Sequence, residues 1–473
     1  MWRSIRDALE GVNSVKRANE IYLPMPLGFE VDDTAPSASM HISPTVTTRS
    51  ETDDYDFTAS PYWHPNPAYR AYLQRARFPE ITMHTLRGLI GVATRKQSNI
   101  DLPSKIQYLE DKATRKGKSL DELFAYCLAE VLSQGRVTLV LDVKKDNTVC
   151  IVPYKTENFI NWDDDESTSE NLFSVFQEIK YVAGEGKEFE TEQQTVNIVY
   201  SFDVSKENSK RVLVRKFIDD VEDVSKTVTP SLQGRTFEKI PVVTIGSLNN
   251  DSDPDPAPLL GVSEIAYSIY RKDADLSQAE YMTCNPMFTI TGTDGNEGVP
   301  AAFGSTVALI LENPAANAFF PSTDTSALAH VTNRIERMFE EAANYGASLL
   351  GPTKKAAEST DTLKVRQGAQ GATLVGVVEN VCTGITDILK LAAEIHGANP
   401  EDVSYSVPTD FSEASLSPQM LLALITLWQS GGMSKETLLK IVKESGFGDR
   451  DEEVEEEMAR IFAEPPALTQ DDV

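Results

Sequence analysis

The sequence predicts an α+β fold, in which mostly antiparallel strands have helices on one side and three long helices follow them. Two patterns predict it. Segments rich in β-branched residues alternate with period two between residues 137 and 245. After residue 260, apolar residues recur at helical spacing over three long segments. The chain has 473 residues, enough for two to four domain-sized units, and its 41% hydrophobic content is ordinary for a globular protein.

The first 257 residues are expected to form the body of the protein. Their first segments are an opening helix over 1–24, a mobile arm or long surface loop over 25–65, and helices over 67–77, 81–94 and 120–133. Period-two alternation then predicts strands over 137–143, 148–153, 173–182, 195–204, 212–218 and 240–245. Two acidic stretches, 163–166 and 249–258, are interpreted as a solvated turn and an extended, solvated linker.

Residues 258–398 contain the three long helices, predicted over 261–284, 325–350 and 372–398. A short β insert over 285–323 separates the first two, and a polar loop over 351–371 precedes the third. Helices of this length extend on the order of 35–40 Å. The first two helices would form a stalk with a small tip. Each of them has one apolar stripe and one hydrated face, and we expect the stalk to obtain further packing from neighbouring copies. The apolar residues expected in stalk packing and oligomerisation are Ile265, Ile269, Val331, Ile335, Met338 and Ile385.

The remaining residues are predicted to return to the body and then to form a helical region. A strand over 403–407 is expected to rejoin the body. Ser417 and Pro418 mark one helix start, and Ser434 caps a second helix.

No motif in the sequence indicates catalysis. Gly117-Lys118-Ser119 resembles half of a phosphate-binding loop, but Lys112 stands where the loop needs its first glycine. The histidines are scattered, and Pro256 occupies the position where a calcium loop built on Asp251 needs glycine. The sequence therefore predicts no enzyme, no catalytic residue, no metal site and no cofactor.

The acidic net charge of the chain argues against tight binding of nucleic acid. The net charge is −28, whereas proteins that hold nucleic acid without sequence preference concentrate Lys and Arg. The loop over 351–371 departs from this trend with a net charge of +2, and its basic residues are Lys354, Lys355, Lys364 and Arg366. This loop is interpreted either as a solvated connection or as a contact with a polyanion.

Several short motifs, spread in order along the chain, carry a family resemblance. They are Asp7-x-x-Glu10-Gly11, Val15-Lys16, Tyr22-Leu23-Pro24, Ala76-Arg77-Phe78, Thr85-x-x-Gly88-Leu89, Pro153-Tyr154, Asn158-Phe159-Ile160-Asn161-Trp162, Thr409-Asp410-Phe411, Ala423-Leu424-x-x-Leu427-Trp428 and Gly432-Met433-Ser434-Lys435-Glu436-Thr437. With these motifs the chain resembles the portal proteins of tailed bacteriophages, in the branch long catalogued as a phage domain of unknown function. The arm over 32–60 departs from that pattern.

The resemblance implies a portal fold with an α/β wing, a two-helix stem, a small β-containing clip and a helical crown. The implied divisions are wing 1–257 completed by 399–412, stem helices 258–284 and 324–350, clip 285–323, tunnel loop 351–371, tunnel-bordering wing helix 372–398 and crown 413–473. Lys354, Lys355, Lys364 and Arg366 then become candidate DNA contacts in the tunnel.

The implied assembly is a dodecameric ring at one capsid vertex of the virion, made in the host cytoplasm and without membrane contact. Such a ring passes double-stranded DNA without sequence specificity during packaging, retention and ejection. Its implied protein partners are the terminase, head-tail adaptor, major capsid and scaffolding proteins. Two alternatives stay open: another head-tail connector ring, and an ATPase or nuclease of the packaging machinery.

Overall fold

The computed structural model describes residues 2–26, 64, 66–144, 146, 148–165, 171–184, 187–203, 211–284, 289–291, 317–319, 326–350 and 372–409, together with 427, 434 and 437. The chain divides into two compact units, residues 1–409 and 410–473. Within the described part the first unit mixes helices with antiparallel sheets. In the second unit, Thr437 is helical and its N–H donates to the Ser434 hydroxyl at 3.1 Å. This contact is the helix cap predicted at Ser434.

The N-terminal helices are shorter than the sequence indicated. The opening segment forms two helices, α1 (Trp2–Glu10) and α2 (Val12–Arg17). Gly11 separates them with a φ of 92°, a left-handed backbone conformation that only glycine adopts readily. The single helix expected over 1–24 is therefore wrong. Helices α3 (Pro67–Arg75) and α4 (Ile81–Ala93) follow near their predicted positions.

Helix α5 (Leu120–Gln134) lies at the centre of the first unit. Ser119 and Glu122 form a capping box at its start, and Gly135 ends it with a φ of 82°. The three-stranded sheet beside it has the order β11-β2-β3, with β2 at Arg136–Val143, β3 at Val149–Lys155 and β11 at Val242–Gly246. All three strands were predicted within a few residues, because they are runs of β-branched and other apolar residues.

A five-stranded antiparallel sheet follows in the order β4-β5-β6-β7-β8. Its strands are β4 (Phe159–Asp164), β5 (Asn171–Gly184), β6 (Lys187–Phe202), β7 (Val212–Ile218) and β8 (Val221–Glu222). Asp163 and Asp164 belong to β4 and pair with β5. The sequence interpretation of this acidic stretch as a turn is therefore wrong for these two residues, since edge strands tolerate charged side chains.

The segment before the first long helix is exposed over most of its length, as expected of a solvated linker, but it is also attached to the body. The Asp255 carboxylate accepts hydrogen bonds from the N–H groups of Leu248 and Asn249, and Ser252 is buried. The fully buried guanidinium of Arg136 donates to the Ser252 carbonyl and lies 4.5 Å from the centre of the Trp162 ring. Burial lowers the pKa of Arg136 to about 10. The segment is thus held by exposed local hydrogen bonds to Asp255 and by one buried contact with Arg136, which its own composition does not indicate.

Three long helices complete the first unit: α6 (Leu260–Cys284), α7 (Ser326–Leu350) and α8 (Ala372–His396). All three were predicted, with ends correct to within two residues. Between α6 and α7, strands β12 (Thr289–Thr291) and β13 (Asn317–Phe319) pair antiparallel. The insert also contains a second apolar run over 306–311 in the sequence, which lies outside the described residues.

Helix α8 packs against the three-stranded sheet and against α5. Its apolar face includes Val377, Val381, Ile385 and Ile388, each no more than 1% exposed. The following strand, β14 (Ser404–Ser406), pairs antiparallel with β1 (Asn99–Asp101). The predicted return of the chain to the body is confirmed. Its three-residue partner β1 was not predicted.

Candidate assembly surface

Helices α6 and α7 form an antiparallel pair with an apolar seam of their own. Ile269 on α6 packs with Ile335 and Met338 on α7, and Ile265 and Val331 lie at the edge of this cluster. At one end, Gly261 lies directly against the Tyr345 ring, so that a Cβ there would approach ring carbons to within 3 Å. The start of α6 therefore meets the end of α7.

One end of this pair is anchored in the body. Tyr267 on α6 stacks on Tyr22 at a ring distance of 4.4 Å and donates a hydrogen bond to the Ser4 carbonyl at 2.7 Å. Further along α6, Asp275 accepts a hydrogen bond from the Tyr72 hydroxyl at 2.7 Å. Burial, with the hydrogen bond to Asp275, raises the pKa of Tyr72 well above its usual value, so Tyr72 stays a neutral donor.

Burial falls along α6 as the helix leaves the body. Residues Tyr267, Tyr270 and Ala274 are buried on a second face, opposite the seam with α7. The first part of α6 is thus covered on two faces, and the prediction of one apolar stripe and one hydrated face is wrong for it. Beyond this anchored part, Tyr281 is 48% exposed and Met282 is 61% exposed.

Helix α7 has a narrow buried stripe, and two of its aromatic side chains are partly exposed. Ile335, Met338 and Ala342 are buried at helical spacing, whereas Phe339 is 44% exposed and Tyr345 is 41% exposed. Phe339 did not stand out in the sequence, because it lies beside the predicted stripe. Aromatic side chains are enriched in surfaces that other protein covers.

The predicted packing residues fall into two groups. Ile265, Ile269, Val331, Ile335 and Met338 meet in the seam between α6 and α7. Ile385 lies elsewhere, fully buried on α8 within the core of the body. These positions show packing within one chain, and their part in oligomerisation stays a prediction.

The candidate DNA contacts Lys354, Lys355, Lys364 and Arg366 lie outside the described residues. In the described part of the chain, no group of three or more His, Cys, Asp or Glu side chains is arranged to hold a metal ion. Among the same residues, no helix is both long and apolar enough to span a bilayer.

One family matches the chain, over residues 258–395, and it is described as a domain of unknown function (DUF4055). The matched region runs from just before α6 almost to the end of α8. No curated protein matches the chain.

Three of the solved structures that resemble the chain come from gene transfer agent particles. One, from the virion of the native particle, has a TM-score of 0.38 and 12% identity, and covers 75% of this chain and 86% of the other. Two others come from the particle neck, one empty and computed with C6 symmetry, one native and computed with C12 symmetry. They have TM-scores of 0.37 and 0.34 and 10% identity, and each covers 78% of this chain and 90% of the other.

Proposed function

We propose that the chain is the subunit of a ring-shaped channel, a phage portal, through which double-stranded DNA enters and leaves a capsid. Support comes from the distributed sequence motifs and from the order of elements: a mixed body, an antiparallel pair of long helices joined through a short β pair, and a third long helix. On this proposal α6 and α7 are the stem, residues 285–323 the clip, 351–371 the tunnel loop and 413–473 the crown.

The single observation that carries the proposal is the uneven burial of α7. A single chain covers Ile335 and Met338 but leaves Phe339, the residue next to Met338, 44% exposed. Apolar area left in water costs roughly 25 cal/mol per Å² relative to burial. Neighbouring copies in a closed ring would cover this face through a repeated head-to-tail contact.

The charge of the chain suits a channel for DNA. A ring of copies that each carry −28 repels phosphate, so that DNA slides without being trapped. The basic residues of the loop over 351–371 would supply a few weak contacts to the duplex. The protein is proposed to act as a structural component of the virion, without an active site, that docks first the terminase and then the head-tail adaptor proteins.

The experiment compares two acidic substitutions on α7. Phe339→Asp places a charge on the exposed aromatic face, and Asn333→Asp adds the same group at an exposed polar position of the same helix. We expect wild type and Asn333→Asp to form rings with a central hole in negative-stain electron microscopy. Phe339→Asp is expected to stay a folded monomer in light scattering and circular dichroism, because the new carboxylate cannot be buried unpaired.

Two outcomes would count against the ring. Wild-type protein could stay monomeric at high concentration without ring-shaped particles, or the two substitutions could affect assembly equally. Ile335→Asp and Ile385→Asp are expected to yield monomer or aggregate. They do not separate assembly from folding, because both side chains are buried within one chain.

A further inference from the structure

A basic cleft lies on the inner face of the five-stranded sheet. It has a volume of about 470 Å³ and is bounded by β5, β6 and β7 on one side and by the hairpin of β2 and β3 on the other. Tyr154 on β3 lines the cleft, and its ring stacks on that of Phe176 on β5 with the ring centres 4.4 Å apart. Two sheets therefore enclose the cleft between them.

The charge of this cleft is opposite to that of the chain. Five basic residues line it, namely Arg115, Lys144, Lys180, Lys216 and Lys226. Among the residues that the structure describes, two acidic residues line it, Asp142 and Glu178. The five positive charges against two negative ones give a local net of +3, within a chain whose net charge is −28.

Three of the five cations already have carboxylate partners. Arg115 pairs with Asp142. Lys180 lies 3.2 Å from Glu178, and Lys226 lies 2.7 Å from Asp223. Tyr154 also donates a hydrogen bond to Glu178 at 2.7 Å. Both carboxylates that line the cleft are thus engaged.

Lys144 and Lys216 are the exceptions. Neither has a carboxylate oxygen within 4 Å among the residues that the structure describes. Lys216 is half-buried and stands directly opposite Ile198 on β6, which in turn stands opposite Phe176 on β5. Because cross-strand partners share one face of a sheet, Lys216 lies on the inner face, where an unpaired ammonium group is unfavourable.

Part of the cleft wall is apolar. Ile198, Tyr200 and Val214 are buried along the sheet side, and Pro230 lies at the rim. The hydroxyl groups of Thr229 and Ser231 also line the cleft. Its size suits a few amino-acid side chains, with carboxylates near the two lysines and an apolar side chain against the wall.

We propose that this cleft binds an acidic polypeptide segment, with a carboxylate held between Lys144 and Lys216. Duplex DNA is a poorer fit, since its phosphates follow a convex surface too wide to enter a cleft of this volume, and the remaining surface of the chain repels it. The inference goes beyond the proposed channel and does not depend on ring formation.

The test measures binding of a fluorescein-labelled peptide, Glu-Glu-Leu-Glu-Glu, to the full chain by fluorescence polarisation at low salt. Lys144→Gln combined with Lys216→Gln removes the two unpaired charges. Lys112→Gln combined with Lys272→Gln removes two charges from exposed positions outside the cleft. We expect the first variant to weaken peptide binding about tenfold, and the second about twofold or less.

Circular dichroism melting first confirms that both variants are folded. The proposal is overturned if wild type does not bind the peptide, or if the two variants weaken binding equally. A short DNA duplex of random sequence is measured in parallel. The proposal is also overturned if the duplex binds the wild-type chain more tightly than the peptide does, and if only the Lys144→Gln and Lys216→Gln variant loses duplex binding. The cleft would then be a phosphate site.

Discussion

Arg6 joins the first helix to two carboxylates of the body. Its guanidinium donates to Glu130 at 2.9 Å and to Glu157 at 2.7 Å and 3.0 Å. The Glu130 side chain is only 7% exposed. Although burial alone would lower the pKa of Arg6, the hydrogen bonds to Glu130 and Glu157 raise it above its usual value. The arginine is therefore the counter-charge on which a buried carboxylate depends.

We predict that Arg6→Ala lowers the free energy of unfolding by roughly 3–5 kcal/mol, because Glu130 would be left buried without a partner. The matched control is Arg3→Ala on the same helix. Arg3 is 73% exposed and lies 3.6 Å from Asp7, and the loss expected there is below about 1 kcal/mol. Urea unfolding of the full chain measures both. Equal losses in the two variants would show that Arg6 contributes no more than an exposed ion pair.

The ion pair between Arg6 and Glu157 also predicts how the stability of the protein changes with pH. Burial would raise the pKa of Glu157, but the hydrogen bond from Arg6, a backbone hydrogen bond and the charges of Arg6 and Lys155 together outweigh burial and lower that pKa below the usual value. A carboxylate with a lowered folded-state pKa stabilises the fold above its unfolded-state pKa, and this contribution is lost as the pH falls. Removing Arg6 should therefore flatten the acid side of the stability profile.

At the scale of elements, α8 approaches the sheet closely at one glycine. A Cβ at Gly384 would lie 2.3 Å from Cγ1 of Ile245, whose side chain is fully buried on β11. On the same helix, Gly376 has nothing within 4 Å of the equivalent position. A methyl group added at Gly384 would therefore clash with Ile245, whereas a methyl group added at Gly376 would meet no neighbouring atom.

We predict that Gly384→Ala destabilises the protein by about 1–3 kcal/mol through overpacking. Gly376→Ala should stabilise it by about 0.5–1 kcal/mol, since alanine loses less backbone entropy in a helix. Thermal unfolding of both variants checks the opposite signs. A gain in stability at Gly384 would mean that Ile245 can move aside without cost.

At the scale of the whole molecule, the charge of the loop over 351–371 contrasts with that of the chain. We predict that replacing Lys354, Lys355, Lys364 and Arg366 together by Ala leaves ring assembly intact and reduces packaging or retention of DNA in assembled particles. The reason is that these residues would supply the few attractive contacts within an acidic channel. The measurement is the amount of packaged DNA per particle. An unchanged amount would show that the loop does not contribute to packaging or retention of DNA.

The long elements could be predicted from the sequence, because their signal is periodic and local. Helix α7 was expected over 325–350 and lies at Ser326–Leu350, and β7 lies at Val212–Ile218 as predicted. Their apolar spacing repeats over several turns or strand pairs, so local sequence suffices. The seam residues Ile269 and Ile335 followed from the same spacing and do meet.

Short strands and buried polar contacts needed the tertiary structure. Strand β1 has three residues and exists only because β14 pairs with it. Arg136 is fully buried by two aromatic rings and by carbonyls from Thr156, Phe159 and Ser252, which are distant in sequence. No local pattern encodes such a contact.

By itself, the sequence determined the long helices, most strands and the charge, because each depends on neighbouring residues or on composition alone. Only the tertiary structure decided which side chains stay exposed or unpaired. Phe339 lies one residue from the buried Met338, and Lys216 is one of 44 basic residues. Exposure and pairing depend on which distant segments fold against a residue, and spacing along the chain does not carry that information.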